Sequence, residues 1–173
     1  AQEAMISPAA TYPQLSTLDV RNVFFRTIPS TALQGSALGA LLPSTKQPKV
    51  ALVASSDDIG QSVVPTLREA LTAHGGSLVA NIALTASSAP ADVVAQVKAA
   101  APDAVVLDTP DNGAQTKALI TALVGGGFGG AKLWLTSQNL ADYSQALPAG
   151  QLTGARGILE GAESDAAFQA KLK

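Results

Sequence analysis

A strand-plus-helix repeat constrains this chain more than any other feature of its sequence. Candidate strands begin near five positions: Val50, Leu78, Ala104, Lys132 and Ala155. Their spacing of about 26 residues is that of one strand and one crossover helix, the connection that joins parallel strands. The sequence therefore predicts an α/β fold built on a doubly wound parallel sheet.

The first repeat, residues 49–76, shows the pattern most clearly. Residues 50–54 form an apolar run of strand length that suits a strand covered on both faces. An acidic loop follows, and apolar residues then recur at helical spacing up to a glycine stop at Gly75. Pro65 is accommodated only in a first helical turn, so regular helix is expected from about Ser62. In such folds the loop lies at the carboxyl edge of the sheet, where ligands bind.

Residues 1–44 have too few elements to close a core of their own. Two short strands are predicted at residues 5–7 and 23–28, followed by a helix that a capping box at residues 31–34 would open. Leu33 and Leu41 recur at helical spacing, together with Ala37, Leu38 and Leu42. We expect this region to be part of a larger unit, with residues 43–48 as a connector to a second domain at 45–173.

Polar clusters follow three of the predicted strands. Their members are Ser55, Ser56, Asp57 and Asp58 after the first, Asp108, Thr109, Asp111 and Asn112 after the third, and Thr136, Ser137, Gln138 and Asn139 after the fourth. Each residue alone is most simply a helix cap or turn residue. Because the three loops meet at one sheet edge, the group predicts a site for one small polar molecule.

Little in the sequence favours an enzyme. The single histidine, His74, lies at a predicted helix end, and the glycine-rich residues 125–130 precede a strand rather than the helix that a phosphate loop requires. There is no cysteine and no metal-ligand spacing, so no cofactor is predicted. A formal net charge of −2 gives no electrostatic footprint for nucleic acid. A flavodoxin-like enzyme remains the minor alternative.

A family resemblance rests on the order of several short motifs. They are Ile-Ser-Pro-Ala-Ala-Thr at 6–11, Val-Phe-Phe-Arg-Thr-Ile-Pro at 23–29, Gln34-Gly35, Asp-Ile-Gly-Gln at 58–61 and Pro-Asp-Ala-Val-Val-Leu at 102–107. This order resembles the extracytoplasmic solute-binding proteins of branched-chain amino acid ABC importers, which have the type I periplasmic binding protein fold. The resemblance extends over essentially the whole chain.

The resemblance implies two lobes that close on a ligand by a hinge motion. Residues 1–44 would supply part of the first lobe, the hinge strand and a helix, and residues 45–173 the second lobe. It also implies importer membrane subunits as partners and a location on the periplasmic or extracellular face, with a lipid anchor as one option in the full-length protein. A ligand-sensing domain of a membrane receptor, which uses the same fold, is the alternative.

The resemblance further implies where the ligand lies. In the family the loop matching residues 8–11 holds the carboxylate and ammonium ends of the ligand through main-chain groups and a Thr hydroxyl, here at Ala9 and Thr11. Ile59 stands where the family usually has Tyr, and Gln138 stands where amino-acid binders carry a Glu that pairs with the ligand ammonium. The predicted ligand-binding residues are Ala9, Thr11, Asp57, Asp58, Ile59, Asp108, Asp111 and Gln138.

The two departures leave the ligand class open between an amino acid and a small carboxylate. A neutral amide at Gln138 gives a hydrogen bond without charge pairing, and a charged partner is worth more once desolvated. Asp108 or Asp111 could replace the missing acid and retain an α-amino acid. A carboxylate without an ammonium group, such as an aromatic or short aliphatic acid, is the rival.

Overall fold

Two parallel sheets account for the strands in the computed structural model, which describes residues 3–17, 23–110, 113–144 and 147–159. In chain order the strands are β1 (Met5–Ser7), β2 (Phe24–Arg26), β3 (Lys49–Ser55), β4 (Ser77–Leu84), β5 (Ala104–Asp108), β6 (Leu133–Leu135) and β7 (Arg156–Gly157). The α-helices are α1 (Thr31–Ser44), α2 (Asp58–Gln61), α3 (Val64–Ala73), α4 (Pro90–Ala100) and α5 (Ala114–Leu123). Among the described residues, no helix is both long and apolar enough to cross a membrane.

The main sheet confirms the predicted repeat. Its strands lie in the order β4-β3-β5-β6-β7, and every neighbouring pair is parallel. Each of these strands begins within one residue of its predicted start. The order reverses at β3, because the chain adds β4 on one side of it and β5 on the other. The fold is thus the α/β, doubly wound lobe that the sequence predicts.

Helices cover both faces of this sheet, because successive side chains of a strand point to opposite faces. On β3, Ala51 and Val53 join a core with residues of α4 and α5, and Val50 and Leu52 join a core with residues of α1 and α3. All four side chains are fully buried. An uninterrupted apolar run is what a strand buried on both faces requires.

Helix α1 differs from its prediction at its start and on its buried face. The capping-box prediction is wrong: Ser30 is the N-cap residue, it makes no side-chain cap, and Thr31 is already helical. Leu33 and Leu41 are exposed, at 59% and 44%, although both share the helical spacing of the core-facing leucines. The reason is the close packing of α1 against α3. The face of α1 that contacts α3 contains Gly35 and Gly39, where even a Cβ atom would be too close to atoms of α3, so a leucine does not fit on that face.

The entrance to α3 also contains more helix than the sequence predicts. The acidic loop after β3 forms the one-turn helix α2, capped by Asp57. Regular helix then begins at Val64 rather than near Ser62, with Pro65 in the first turn, where its missing N–H has no helical acceptor to lose.

Strands β1 and β2 form a separate parallel ribbon. The second strand covers only Phe24–Arg26 of the predicted residues 23–28. Leu38 and Leu42 of α1 are fully buried in a core of the main sheet, so α1 packs with the second unit rather than with the ribbon. A domain boundary at residues 44 and 45 stays a prediction, and this packing favours placing it before α1.

Candidate functional site

A polar recess of about 140 Å³ lies at the carboxyl edge of the main sheet. Strands β3, β5 and β6 are neighbours in the interior of the sheet, so the loops that follow them meet there. The recess is lined by Ser55, Asp57, Ile59, Gly60, Asp108, Thr109, Pro110 and Gln138. The structure therefore brings together four of the predicted site residues, namely Asp57, Ile59, Asp108 and Gln138.

Asp57 forms the wall that follows β3. Its Oδ1 accepts hydrogen bonds from the Gly60 N–H at 2.8 Å and from Ser55 Oγ at 2.6 Å. These bonds to Gly60 and Ser55 lower the pKa of the Asp57 carboxyl, against a smaller opposing effect of burial. The carboxylate is therefore ionised at neutral pH, and it has a structural task as the cap of α2 in addition to lining the recess.

Asp108 forms the wall that follows β5 and is only 5% exposed. Thr136 Oγ1 donates to its Oδ1 at 2.7 Å, which joins the ends of β5 and β6. Behind this wall, fully buried Asn139 accepts from the Thr109 N–H at 2.8 Å and donates to the Thr109 carbonyl at 3.1 Å. Buried polar groups that are satisfied in this way fix the positions of both loops.

Ile59 and Gln138 complete the recess on the side of α2 and on the side of β6. Ile59 is 49% exposed, so its aliphatic side chain is available at the rim of the recess. Gln138 lies in a short helical turn, Ser137–Asn139, that follows β6. Ile59 contributes an apolar contact and Gln138 a neutral amide to a site that also contains two acidic residues.

The other predicted residues lie elsewhere. Asp58 faces away from Asp57 and lines a groove of about 500 Å³ together with Tyr12 and Ser62. Thr11 lies in the loop after β1, where its carbonyl accepts a hydrogen bond from the Thr31 N–H at 3.0 Å. Ala9 is in the same loop, and Asp111 lies outside the described residues.

Four lining residues were not among the predicted site residues: Ser55, Gly60, Thr109 and Pro110. Ser55 and Thr109 were recognisable as members of the polar clusters. Gly60 had a weaker signal, a glycine in the acidic loop that precedes the predicted helix. The structure explains it, because a Cβ there would lie 2.6 Å from the Ser55 carbonyl oxygen.

The recess has an acidic lining without a cationic partner. It contains the ionised carboxylate of Asp57 and the buried carboxyl group of Asp108, and no lysine, arginine or histidine is among the described residues that line it. The Asp57 carboxylate favours an ammonium group or a hydrogen-bond donor of a ligand and disfavours a ligand carboxylate beside it. No group of three or more His, Asp or Glu placed to hold a metal ion occurs in the described part of the chain.

A polar recess at the switch point of a doubly wound sheet defines a ligand-binding α/β lobe. The family comparison agrees with this class: a model described as the receptor family ligand binding region matches residues 1–162. The chain belongs to this family.

Solved structures show the same fold. One from Rhodospirillum rubrum, assigned to a branched-chain amino acid ABC transporter, is 21% identical with a TM-score of 0.70 and matches 89% of this chain and 43% of its own. An R. palustris ABC transporter solute-binding protein in complex with 4-hydroxybenzoate is 18% identical with a TM-score of 0.67, covering 79% and 37%. A second R. palustris solute-binding protein of an ABC transporter, in complex with benzoate, is 20% identical with a TM-score of 0.62. The match covers 74% of this chain and 35% of that protein.

This chain therefore spans about two fifths of the length of the solved structures that it matches. No curated protein matches its sequence.

Proposed function

We propose that this chain is the ligand-binding part of an extracytoplasmic solute-binding protein that serves an ABC importer. The observation that carries the proposal is the recess at the carboxyl edge of β3, β5 and β6, in a chain of a ligand-binding family. The solved structures with this fold support the importer assignment, since they include solute-binding proteins of ABC transporters. The partners are then a small molecule and the importer's membrane subunits.

The charge of the recess orients the ligand. Asp57 and Asp108 favour a cationic or hydrogen-bond-donating group, such as an ammonium or a phenolic hydroxyl. The ligand carboxylate then belongs at the loop of residues 8–11, with Ala9 and Thr11. An α-amino acid and a hydroxylated aromatic acid both have this arrangement, and 4-hydroxybenzoate is bound by one of the similar solved structures.

The recess suits binding by closure rather than catalysis. At about 140 Å³ it holds one end of a small ligand, so a second surface must cover the remainder. Closure of two lobes about a hinge supplies that surface. In this mechanism the polar residues serve recognition only, and the protein is not an enzyme.

Calorimetric titration of the full-length protein tests the proposal. The panel is leucine, benzoate, 4-hydroxybenzoate and terephthalate, which carries a carboxylate at both ends. A hydrogen bond to a charged group contributes about 1.5–3 kcal/mol, so 4-hydroxybenzoate or leucine should bind at least about tenfold more tightly than benzoate. Terephthalate should not bind. If none of the four compounds produces a binding signal, the result contradicts the proposed ligand classes. Tight binding of terephthalate would contradict the proposed orientation of the ligand, with its carboxylate away from the recess.

The second candidate is the sensor domain of a membrane receptor. The description of the matched family, a receptor ligand-binding region, favours it specifically. The same titrations apply to both candidates, because each requires a small ligand. A signalling domain encoded in the same gene supports the sensor, and a gene within an importer operon supports the solute-binding protein.

A further inference from the structure

Two buried polar residues stand on the first turn of α1. Thr31 is 3% exposed and Gln34 is 6% exposed. Residues three apart share one face of a helix. Neither residue lines the recess, yet burying an amide and a hydroxyl is costly unless each is hydrogen-bonded. Their partners therefore indicate what this turn does.

Thr31 contacts segments on two sides. Its N–H donates to the Thr11 carbonyl at 3.0 Å, in the loop after β1. Its hydroxyl lies 2.8 Å from Ser62 Oγ, and Ser62 Oγ donates to the Ile59 carbonyl at 2.6 Å. Because the single hydroxyl proton of Ser62 is directed to Ile59, Thr31 is the donor in the first bond. This chain of bonds connects the loop of residues 8–11 with the Ile59 wall.

Gln34 reaches the opposite wall. Its Nε2 donates to Ser137 Oγ at 2.9 Å, across 103 positions of the sequence. Ser137 immediately precedes Gln138, which lines the recess. One helical turn is thus bonded to the segments that carry Ile59 and Gln138.

The turn is also fixed in place. A Cβ at Gly35 would lie 2.3 Å from Thr66 Oγ1 and 2.8 Å from the Val63 carbonyl oxygen. The backbone of α1 is therefore in direct contact with α3, and the turn cannot shift without moving α3.

We propose that Thr31 and Gln34 are positioning residues, which set the two walls of the recess relative to the loop of residues 8–11. They act without touching the ligand, Thr31 through Ser62 and Gln34 through Ser137. Their effect on affinity rests on the proposed function, whereas their effect on the walls does not.

Amide hydrogen exchange of the unliganded full-length protein tests the effect on the walls. Thr31→Val removes the hydroxyl at nearly constant shape, and Gln34→Met removes the amide. A net hydrogen bond contributes about 0.5–1.5 kcal/mol, so exchange should accelerate about 2- to 10-fold in residues 57–62 for Thr31→Val and in 136–139 for Gln34→Met. Thr31→Ser keeps the hydroxyl, so its amide exchange in residues 57–62 should proceed at the wild-type rate.

Matched controls are Thr72→Val and Gln96→Met, both at exposed helical positions. They should change neither wall. The proposal is overturned if Thr31→Val and Gln34→Met leave both walls unchanged, or if they accelerate exchange equally throughout β3 and β5, which would indicate general destabilisation.

Titration with 4-hydroxybenzoate and leucine tests the effect on affinity. Both variants should weaken binding about 2- to 10-fold, with the controls at wild-type affinity. Unchanged affinity beside faster exchange would overturn the link to binding. If neither compound binds the wild-type protein, the proposed function fails, and the exchange result still decides whether this turn positions the walls.

Discussion

At the scale of single residues, Asp57 combines a structural role with a place in the candidate site. Its Oδ1 accepts the Gly60 N–H, which caps α2, and the Ser55 hydroxyl at the end of β3. The same carboxylate supplies negative charge to the recess. Under the proposed function, a substitution at this position changes both stability and ligand preference, so stability is measured first.

Asp57→Ala should lower the free energy of unfolding by about 1 kcal/mol, because the helix N-terminus loses its cap. Asp57→Asn should cost less, since the Asn carbonyl oxygen also accepts from the Gly60 N–H. Urea unfolding at pH 7 measures both values. Equal stability of Asp57→Ala and wild type would show that the cap contributes nothing.

The same carboxylate predicts a pH dependence. Because folding lowers the pKa of Asp57 from its ordinary value of 3.8, its stabilising contribution is present above that value. The contribution is lost as the pH falls below 3.8 through the lower pKa of the folded state. Urea unfolding between pH 5 and about pH 2.5 should show wild type losing stability more steeply than Asp57→Asn. Parallel curves would contradict the assignment.

At the scale of elements, the contact between α1 and α3 decides how the first face of the sheet is covered. A Cβ at Gly39 would lie 2.4 Å from the Ala70 Cβ and 2.8 Å from the Leu71 amide nitrogen. Those neighbours belong to α3 itself, so they cannot rotate away as the end of a long side chain could. The close contact also holds the turn with Thr31 and Gln34 in place.

Gly39→Ala should therefore destabilise the protein by about 1–3 kcal/mol, although alanine favours helix by about 1 kcal/mol over glycine. Gly125→Ala is the matched control, because a Cβ there has nothing within 4 Å. Thermal and urea unfolding compare the two variants. A Gly39→Ala protein as stable as the control would contradict the packing.

This helix pair also shows why sequence patterns predict some elements and not others. The inner strands β3, β5 and β6 were predictable because each is a local apolar run, as in residues 50–54. The orientation of α1 was not, since Leu33 and Leu38 look alike in helical spacing and only the proximity of α3 selects the face with Gly35 and Gly39. The distance between α1 and α3 is a property of the folded chain and cannot be obtained from local sequence patterns.

At the scale of the whole molecule, the sheet order accounts for the part of the site that was predictable. Polar residues after β3, β5 and β6 had to meet once those strands were neighbours, which places Asp57, Asp108 and Gln138 together. The divergence of Asp58 toward a different groove depends on the path of α2, and the links through Thr31 and Gln34 join residues far apart in the sequence. Both required the folded structure.

The chain's extent relative to its structural neighbours bears on how the site is tested. This chain spans about two fifths of their length. Because we propose that a second surface covers the ligand, the binding experiments use the full-length protein. Within it, Ile59 is the most informative position, because its half-exposed side chain projects at the rim of the recess. A substitution there changes the rim of the recess, where we propose that the ligand binds, without removing a buried hydrogen bond.

The central claim is that a small ligand occupies the recess at the carboxyl edge of β3, β5 and β6. The most direct test is calorimetric titration of the tightest-binding ligand of the panel into wild type, Ile59→Tyr and Val79→Tyr. Val79 is an exposed aliphatic residue near the start of β4, away from the carboxyl edge, and serves as the control. The added ring and hydroxyl should change the affinity of Ile59→Tyr by about 2- to 10-fold or reorder the panel, with Val79→Tyr at the wild-type value. Unchanged affinities and an unchanged order in Ile59→Tyr would contradict the claim and leave residues 57–60 as the start of a helix only.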